Sequence, residues 1–197
     1  MNSTKKNIAI IIGNGKSREE INLDSLVGQG TIFGCNALYR DFDGYDYLVA
    51  IDDRMINEIQ TTEKRLAGKA IFPPEDERWE SAEYSKIRRR NNAGMAAMNA
   101  AIRMGHTMLY CLGFDFILEG EDSVKNVYKG SRNYEPHTQS NTEDNYYRVK
   151  YLEWFATKHS DVKFVFVIPD NAKTKKIDSR NIIGVPVSVF TKKVENV

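Results

Sequence analysis

Short apolar runs without polar interruption recur along this chain, and they leave it few ways to fold. Asn7–Ile12 (NIAIII) lies between a lysine pair and Gly13. A strand with one face in water alternates apolar and polar residues, whereas a strand that is apolar throughout has both faces covered. Thr31–Cys35, Tyr47–Ile51, Lys69–Phe72, Met108–Gly113 and Val162–Ile168 read as strands too, most of them continuously apolar, and Val185–Phe190 reads as a last short strand. Helical patterns fall between them, so the runs are expected to pair side by side in parallel. The chain is therefore expected to be α/β, a single Rossmann-like domain over 1–197, with a mostly parallel sheet and helices on both faces.

The helices carry their own signals. Ser17 is expected to cap the helix after the first strand, with Glu20 as its capping-box partner. Asp52 or Asp53 is expected to cap a helix running to about Leu66. Asn92–Gly105 (NAGMAAMNAAIRMG) is rich in small residues, as in a helix that packs closely. Ser140 and Glu143 form a second capping-box pattern ahead of a helix from about Asn141 to Lys158. Residues 75–90 read as a charged surface excursion, and 117–139 as a polar active-site loop or lid.

Bulk properties exclude several classes of function. The 28 Lys+Arg residues nearly balance the 27 Asp+Glu, for a net charge of +1, so no whole-surface attraction to nucleic acid or anionic membrane is expected. The basic runs Arg88–Arg90 and Lys173–Lys176 leave nucleic acid as a partner open but not favoured. The two cysteines, Cys35 and Cys111, make no disulfide framework, and the N-terminus shows no signal peptide. The apolar runs are too short to cross a bilayer. A cytoplasmic protein without a membrane span is expected, with homo-oligomers left open.

In an open α/β sheet, ligands bind beyond the carboxyl ends of the strands. That rule selects Gly13–Ser17, Cys35-Asn36, Asp52-Asp53 and Gly113–Phe116, each directly after an expected strand. Gly15-Lys16-Ser17 suggests a triphosphate loop, but the required first glycine falls on Ile10, inside the strand. The dinucleotide fingerprint fails as well, because its third glycine would be Arg18. What remains is a tight strand-to-helix turn whose amides suit one anionic group. Asp52-Asp53 fits either a metal-bound diphosphate or a helix cap. Arg90 is a candidate partner for phosphate or carboxylate. His106 and His159 sit at helix ends, whereas His137 lies in a polar loop, where an imidazole suits a general base.

Five segments, in order, resemble one family: the bacterial sialyltransferases that use CMP-sialic acid and cap lipooligosaccharide. These segments are the Gly13-Asn14-Gly15-x-Ser17 turn, Cys35-Asn36, Arg90-Asn-Asn-Ala-Gly94 with its small-residue helix, Gly113-Phe114-Asp115-Phe116, and Tyr134-Glu-Pro-His137 followed by Asn141-Thr-Glu-Asp144. A related domain occurs in motility-associated glycosyltransferases and in an archaeal pterin pyrophosphokinase family. The resemblance implies a metal-independent, Rossmann-type glycosyltransferase without a cofactor, whose substrates are a nucleotide-sugar donor and a hydroxyl-bearing acceptor. It implies donor contacts at Gly13, Asn14, Gly15, Ser17, Asn36, Asp52, Asn92, Ala93, Gly94, Gly113, Phe114 and Asp115. It implies that His137 is the base that deprotonates the acceptor, with Tyr134 and Arg90 beside it.

The chain departs from the family where two tyrosines bind the departing phosphate. The first falls on Ile117 and the second near Ser123, with Tyr128 the nearest substitute. Thr-Ser of the family becomes Asn92-Ala93. Two other functions stay open on the sequence: a magnesium-dependent phosphotransferase or pyrophosphokinase, and a non-catalytic nucleotide-binding module.

Overall fold

A computed structural model describes residues 7–62, 66, 68–75, 91–135 and 141–195 of the chain. Seven strands form one sheet: β1 (Ile8–Ile12), β2 (Thr31–Cys35), β3 (Tyr47–Val49), β4 (Ala70–Ile71), β5 (Met108–Leu112), β6 (Lys163–Ile168) and β7 (Ile182–Pro186). Their order is β4-β3-β2-β1-β5-β6-β7, and every neighbouring pair is parallel. From β1 the chain steps outward to β4, then returns to the other side of β1 and steps outward again to β7. The direction of winding therefore reverses between β1 and β5, the place where open α/β sheets bind ligands.

Among the described residues, four α-helices cover the sheet: α1 (Asp53–Thr61), α2 (Ala93–Arg103), α3 (Thr142–Lys158) and α4 (Val187–Glu195). Strand residues alternate between two cores, as the two-residue side-chain period requires. Ala9, Ile11, Phe33, Cys111, Phe164 and Phe166 face one way, against α2 and α3. Ile10, Ile12, Ile32, Leu112, Val165 and Val167 face the other, against α1 and α4. Both faces of the sheet are buried, and that explains the unbroken apolar runs. On α2, Ala97 and Ala101 are fully buried, so small side chains let this helix sit close to the sheet.

Several local expectations need correction. The segment after β1 is a five-residue 3₁₀ helix, Lys16–Glu20, whose N-cap is Gly15, and no side chain caps it. Ser17 is diverted to a tertiary partner described below. α1 ends at Thr61 rather than near Leu66, and Asp52 holds the cap position without a side-chain cap bond. α3 is capped by Asn141, whose side chain accepts from the Asp144 amide. Most of the expected strand Val185–Phe190 is helix. β7 ends at Pro186, and α4 turns Val187, Phe190 and Val194 onto the core at helical spacing. The Asp170 carboxylate caps α4 at its start by accepting from the Ser188 amide at 3.0 Å.

Of the charged excursion expected over 75–90, residues 76–90 lie outside the described residues. Among the described residues, no helix is long and apolar enough to cross a membrane.

Candidate functional site

A cavity of about 740 Å³ opens at the carboxyl ends of β1, β2, β3 and β5. At its centre the turns after β1 and β5 are locked together. The Gly13 amide donates to Leu112 O at 2.8 Å, and the Gly15 amide donates to Gly113 O at 2.9 Å. A methyl group on Gly13 would come within 2.6 Å of Gly113 O, and one on Gly15 within 2.5 Å of Asp115 Cγ. Glycine is needed here for closeness of approach. Gly113 adds a conformational reason, with φ at 69° in the left-handed region.

The next amides are also taken. Lys16 N donates to Lys125 O at 3.4 Å, and Ser17 N donates to Asp115 Oδ2 at 3.0 Å. The Ser17 hydroxyl donates to the other oxygen of the same carboxylate. Asp115 is buried, which raises its pKa above the usual 3.8, and the donors on Ser17 and Lys16 partly offset that rise. The turn expected to hold an external anion thus holds one from its own chain.

The side chains of the turn and of its neighbours form the cavity floor. Asn14 Nδ2 donates to the Tyr134 hydroxyl at 3.0 Å. Burial and the nearby Asp52 carboxylate lift the pKa of that hydroxyl to about 12, and the polar groups of Asn14, Asn36 and Ala37 beside it partly offset the rise. The phenol therefore stays protonated in neutral solution. Asn36 follows β2 directly and adopts φ of 50°, a conformation that asparagine tolerates better than most residues. Its side-chain amide lies beside Asp52 in the same cavity. Asp52 is open to the cavity, but the concave walls hydrate it poorly, and its pKa rises despite the attraction of Arg148.

Two acceptors in this floor have no partner: Asn14 Oδ1 and Asn36 Oδ1 are buried and unbonded. Buried polar atoms are normally satisfied, so each calls for a donor from a ligand or solvent.

Of the residues singled out in the sequence, Gly13, Asn14, Gly15, Asn36, Asp52, Asn92, Ala93, Gly94, Gly113, Phe114, Asp115 and Tyr134 line this one cavity. Asn92 caps α2, its Oδ1 accepting from the Met95 amide at 3.0 Å. Gly94 lies against Phe114, where a β-carbon would meet the ring at 2.5 Å. Ser17 and Tyr128 do not line the cavity. Ser17 faces a second hollow beyond the locked turns, with Glu19, Glu119 and Lys173. The Tyr128 hydroxyl accepts from Arg18 Nη2 at 2.7 Å and bonds to Asp41, behind Tyr134, whose ring centre is 5.5 Å away. His137 and Arg90 lie outside the described residues.

Ile117 and Ser123 are both buried, and the Ser123 hydroxyl donates to Gly120 O at 2.7 Å. The sequence reading missed the cavity's basic side chains, Arg54, Lys125, Lys129 and Arg148. Arg148 lies four residues after Asp144, which also lines the cavity, and this one-turn spacing on α3 was a usable signal.

A buried carboxylate on α1 fixes the wall that carries Tyr134. Glu58 accepts from Arg40 Nε at 3.0 Å, from Asn133 Nδ2 at 2.6 Å and from the Tyr39 hydroxyl. Arg40 in turn donates to Ser131 Oγ at 2.8 Å and Arg132 O at 2.9 Å. Burial alone would raise the Glu58 pKa, but hydrogen bonds from Tyr39, Arg40 and Asn133, with the Arg40 charge, bring it below 4.5. Among the described residues, no group of three or more His, Cys, Asp or Glu side chains converges to hold a metal ion.

No protein-family profile matches the sequence, and neither does any curated protein. Two solved structures are similar to the chain. The sialyltransferase CST-II, in complex with a trisaccharide acceptor and CMP, is 13% identical over 96% of this chain and 100% of that one, with a TM-score of 0.46. The UDP-glucose 4-epimerase of the hyperthermophilic eubacterium Thermotoga maritima, with UDP-glucose, is 11% identical over 82% of this chain and 54% of that one, with a TM-score of 0.33.

Proposed function

We propose that this chain is a glycosyltransferase that moves a sugar from a nucleotide-activated donor to an acceptor hydroxyl without a metal ion. The observation that carries the reading is the polarity of the cavity. Its floor carries the exposed Asp52 carboxylate and the amide side chains of Asn14 and Asn36, so it suits a ligand rich in hydroxyl donors. Its other walls carry Arg54, Lys125, Lys129 and Arg148, which suit phosphate. A polyol joined to a phosphate meets both demands, and a nucleotide sugar is such a molecule.

In the transfer, the acceptor oxygen bonds to the anomeric carbon as the bond from that carbon to the phosphate oxygen breaks. The phosphate leaves with the electron pair. His137 takes the acceptor proton, a contribution on the order of 10²–10⁴-fold. The order of motifs supports that role, since His137 follows the cavity-lining Tyr134 by three positions. Direct displacement inverts the anomeric centre.

The test is a thermal-shift panel of CMP, UDP, GDP, ADP and ATP, each with and without Mg²⁺. Ligands that bind the folded state raise its stability by RT ln(1 + [L]/Kd). Stabilisation by CMP, UDP or GDP in the presence of a chelator is expected. Stabilisation by ATP that requires Mg²⁺ would instead point to phosphoryl transfer. His137→Ala is expected to abolish transfer and leave nucleotide binding intact. Retained turnover would remove the histidine from the mechanism.

A further inference from the structure

We propose that Arg148 is the residue that takes the donor phosphate, held ready by Asn145. The proposal rests on the nucleotide-sugar reading and adds to it the group that neutralises the leaving charge. In a Rossmann-like domain that task usually falls to the amides after β1. Here the Gly15, Lys16 and Ser17 amides are bonded within the chain, to Gly113 O, Lys125 O and the Asp115 carboxylate. The tyrosine hydroxyls nearby are engaged within the protein, Tyr134 with Asn14 and Tyr128 with Arg18 and Asp41.

With these three amides engaged, a side-chain cation is the stronger partner for a phosphate. Arg54, Lys125 and Lys129 are exposed. Arg148 is different. It is partly buried, and its Nη1 donates to Asn145 Oδ1 at 2.9 Å. Asn145 is fully buried and itself donates from Nδ2 to Ser123 O at 2.8 Å. The relay Ser123–Asn145–Arg148 fixes the guanidinium before any ligand arrives. A planar, pre-oriented guanidinium with several donors matches phosphate better than a flexible ammonium does. Asp52 lines the same cavity and attracts the Arg148 guanidinium.

The experiment compares nucleosides with their phosphates by calorimetry, using cytidine against CMP and uridine against UDP on the full chain. The wild type is expected to bind at least one phosphorylated form about tenfold or more tighter than its nucleoside. Arg148→Gln is expected to erase that increment and leave nucleoside affinity unchanged, a loss of about tenfold to a hundredfold for the phosphorylated ligand. Arg148→Lys is expected to restore part of it, and both variants should melt near the wild type. If Arg148→Gln keeps the increment while a Lys125→Gln/Lys129→Gln pair loses it, the assignment is overturned and the nucleotide reading stands. If the wild type binds neither nucleosides nor nucleotides, the assignment and the nucleotide reading fail together.

Discussion

Asp115 separates a structural reading of the central turn from a ligand-binding one. Replacing it by alanine removes the acceptor for Ser17 N, 3.0 Å away, and for the Ser17 hydroxyl. Both Ser17 and Asp115 are buried, so the two donors are left without partners in a place water reaches poorly. Each such group costs about 1–3 kcal/mol, and removing a poorly hydrated carboxylate recovers part of the total. A net loss of about 2–4 kcal/mol follows from these two opposing effects. In a chain of this size each kcal/mol shifts the melting temperature by roughly 2–4 °C, so a drop of about 5–15 °C is expected. Urea and thermal melts of Asp115→Ala, Ser17→Ala and the double variant form a cycle whose coupling should exceed about 1 kcal/mol, because the groups are in direct contact. Nucleotide affinity, measured below the melting range, should change little. An Asp115→Ala protein that melts like the wild type yet loses nucleotide binding would refute the reasoning and return Asp115 to the ligand.

Three further outcomes follow from the same geometry. Gly15→Ala should destabilise by about 1–3 kcal/mol through overpacking, since its β-carbon would sit 2.5 Å from Asp115 Cγ; Gly28→Ala, its control, meets no neighbour within 4 Å but has φ of +82°, so it should cost only the roughly 1–2 kcal/mol of the left-handed conformation. Glu58 has a folded-state pKa below 4.5, so its contribution is present above that pH and is lost as pH falls through the folded value; Glu58→Gln should flatten the slope of melting temperature against pH there. Tyr134→Phe removes the hydroxyl that orients Asn14 and Asn36, and should weaken nucleotide binding by about tenfold with a small change in melting temperature, as calorimetry and a melt of the same sample would report.

The sheet was readable in the sequence because its strands are buried on both faces, and an unbroken apolar run as short as Ile8–Ile12 suits a central strand better than an amphipathic helix. The floor was readable because Asn14, Asn36 and Asp52 each follow a strand, and the parallel order brings strand ends together. The fate of Ser17 was not. Its local pattern favours a helix cap, but Asp115, 98 positions later, supplies a stronger partner that only the fold brings near. Val185–Phe190 was ambiguous for a different reason, since a short apolar segment fits a strand or a buried helix face equally well. Arg148 is one of several charged residues on α3. Its distinction depends on Asn145 and Ser123, and no spacing rule reports that relay.

The carboxylate seated in the β1 turn has a consequence for ligand competition. Asp115 acts as an internal ligand for its own domain, tethered at an effective concentration in the millimolar range or above. A free phosphate seeking those amides must displace it, and Asp115 returns as soon as the competitor leaves. At the Ser17 amide the locked turn therefore behaves as a site already saturated.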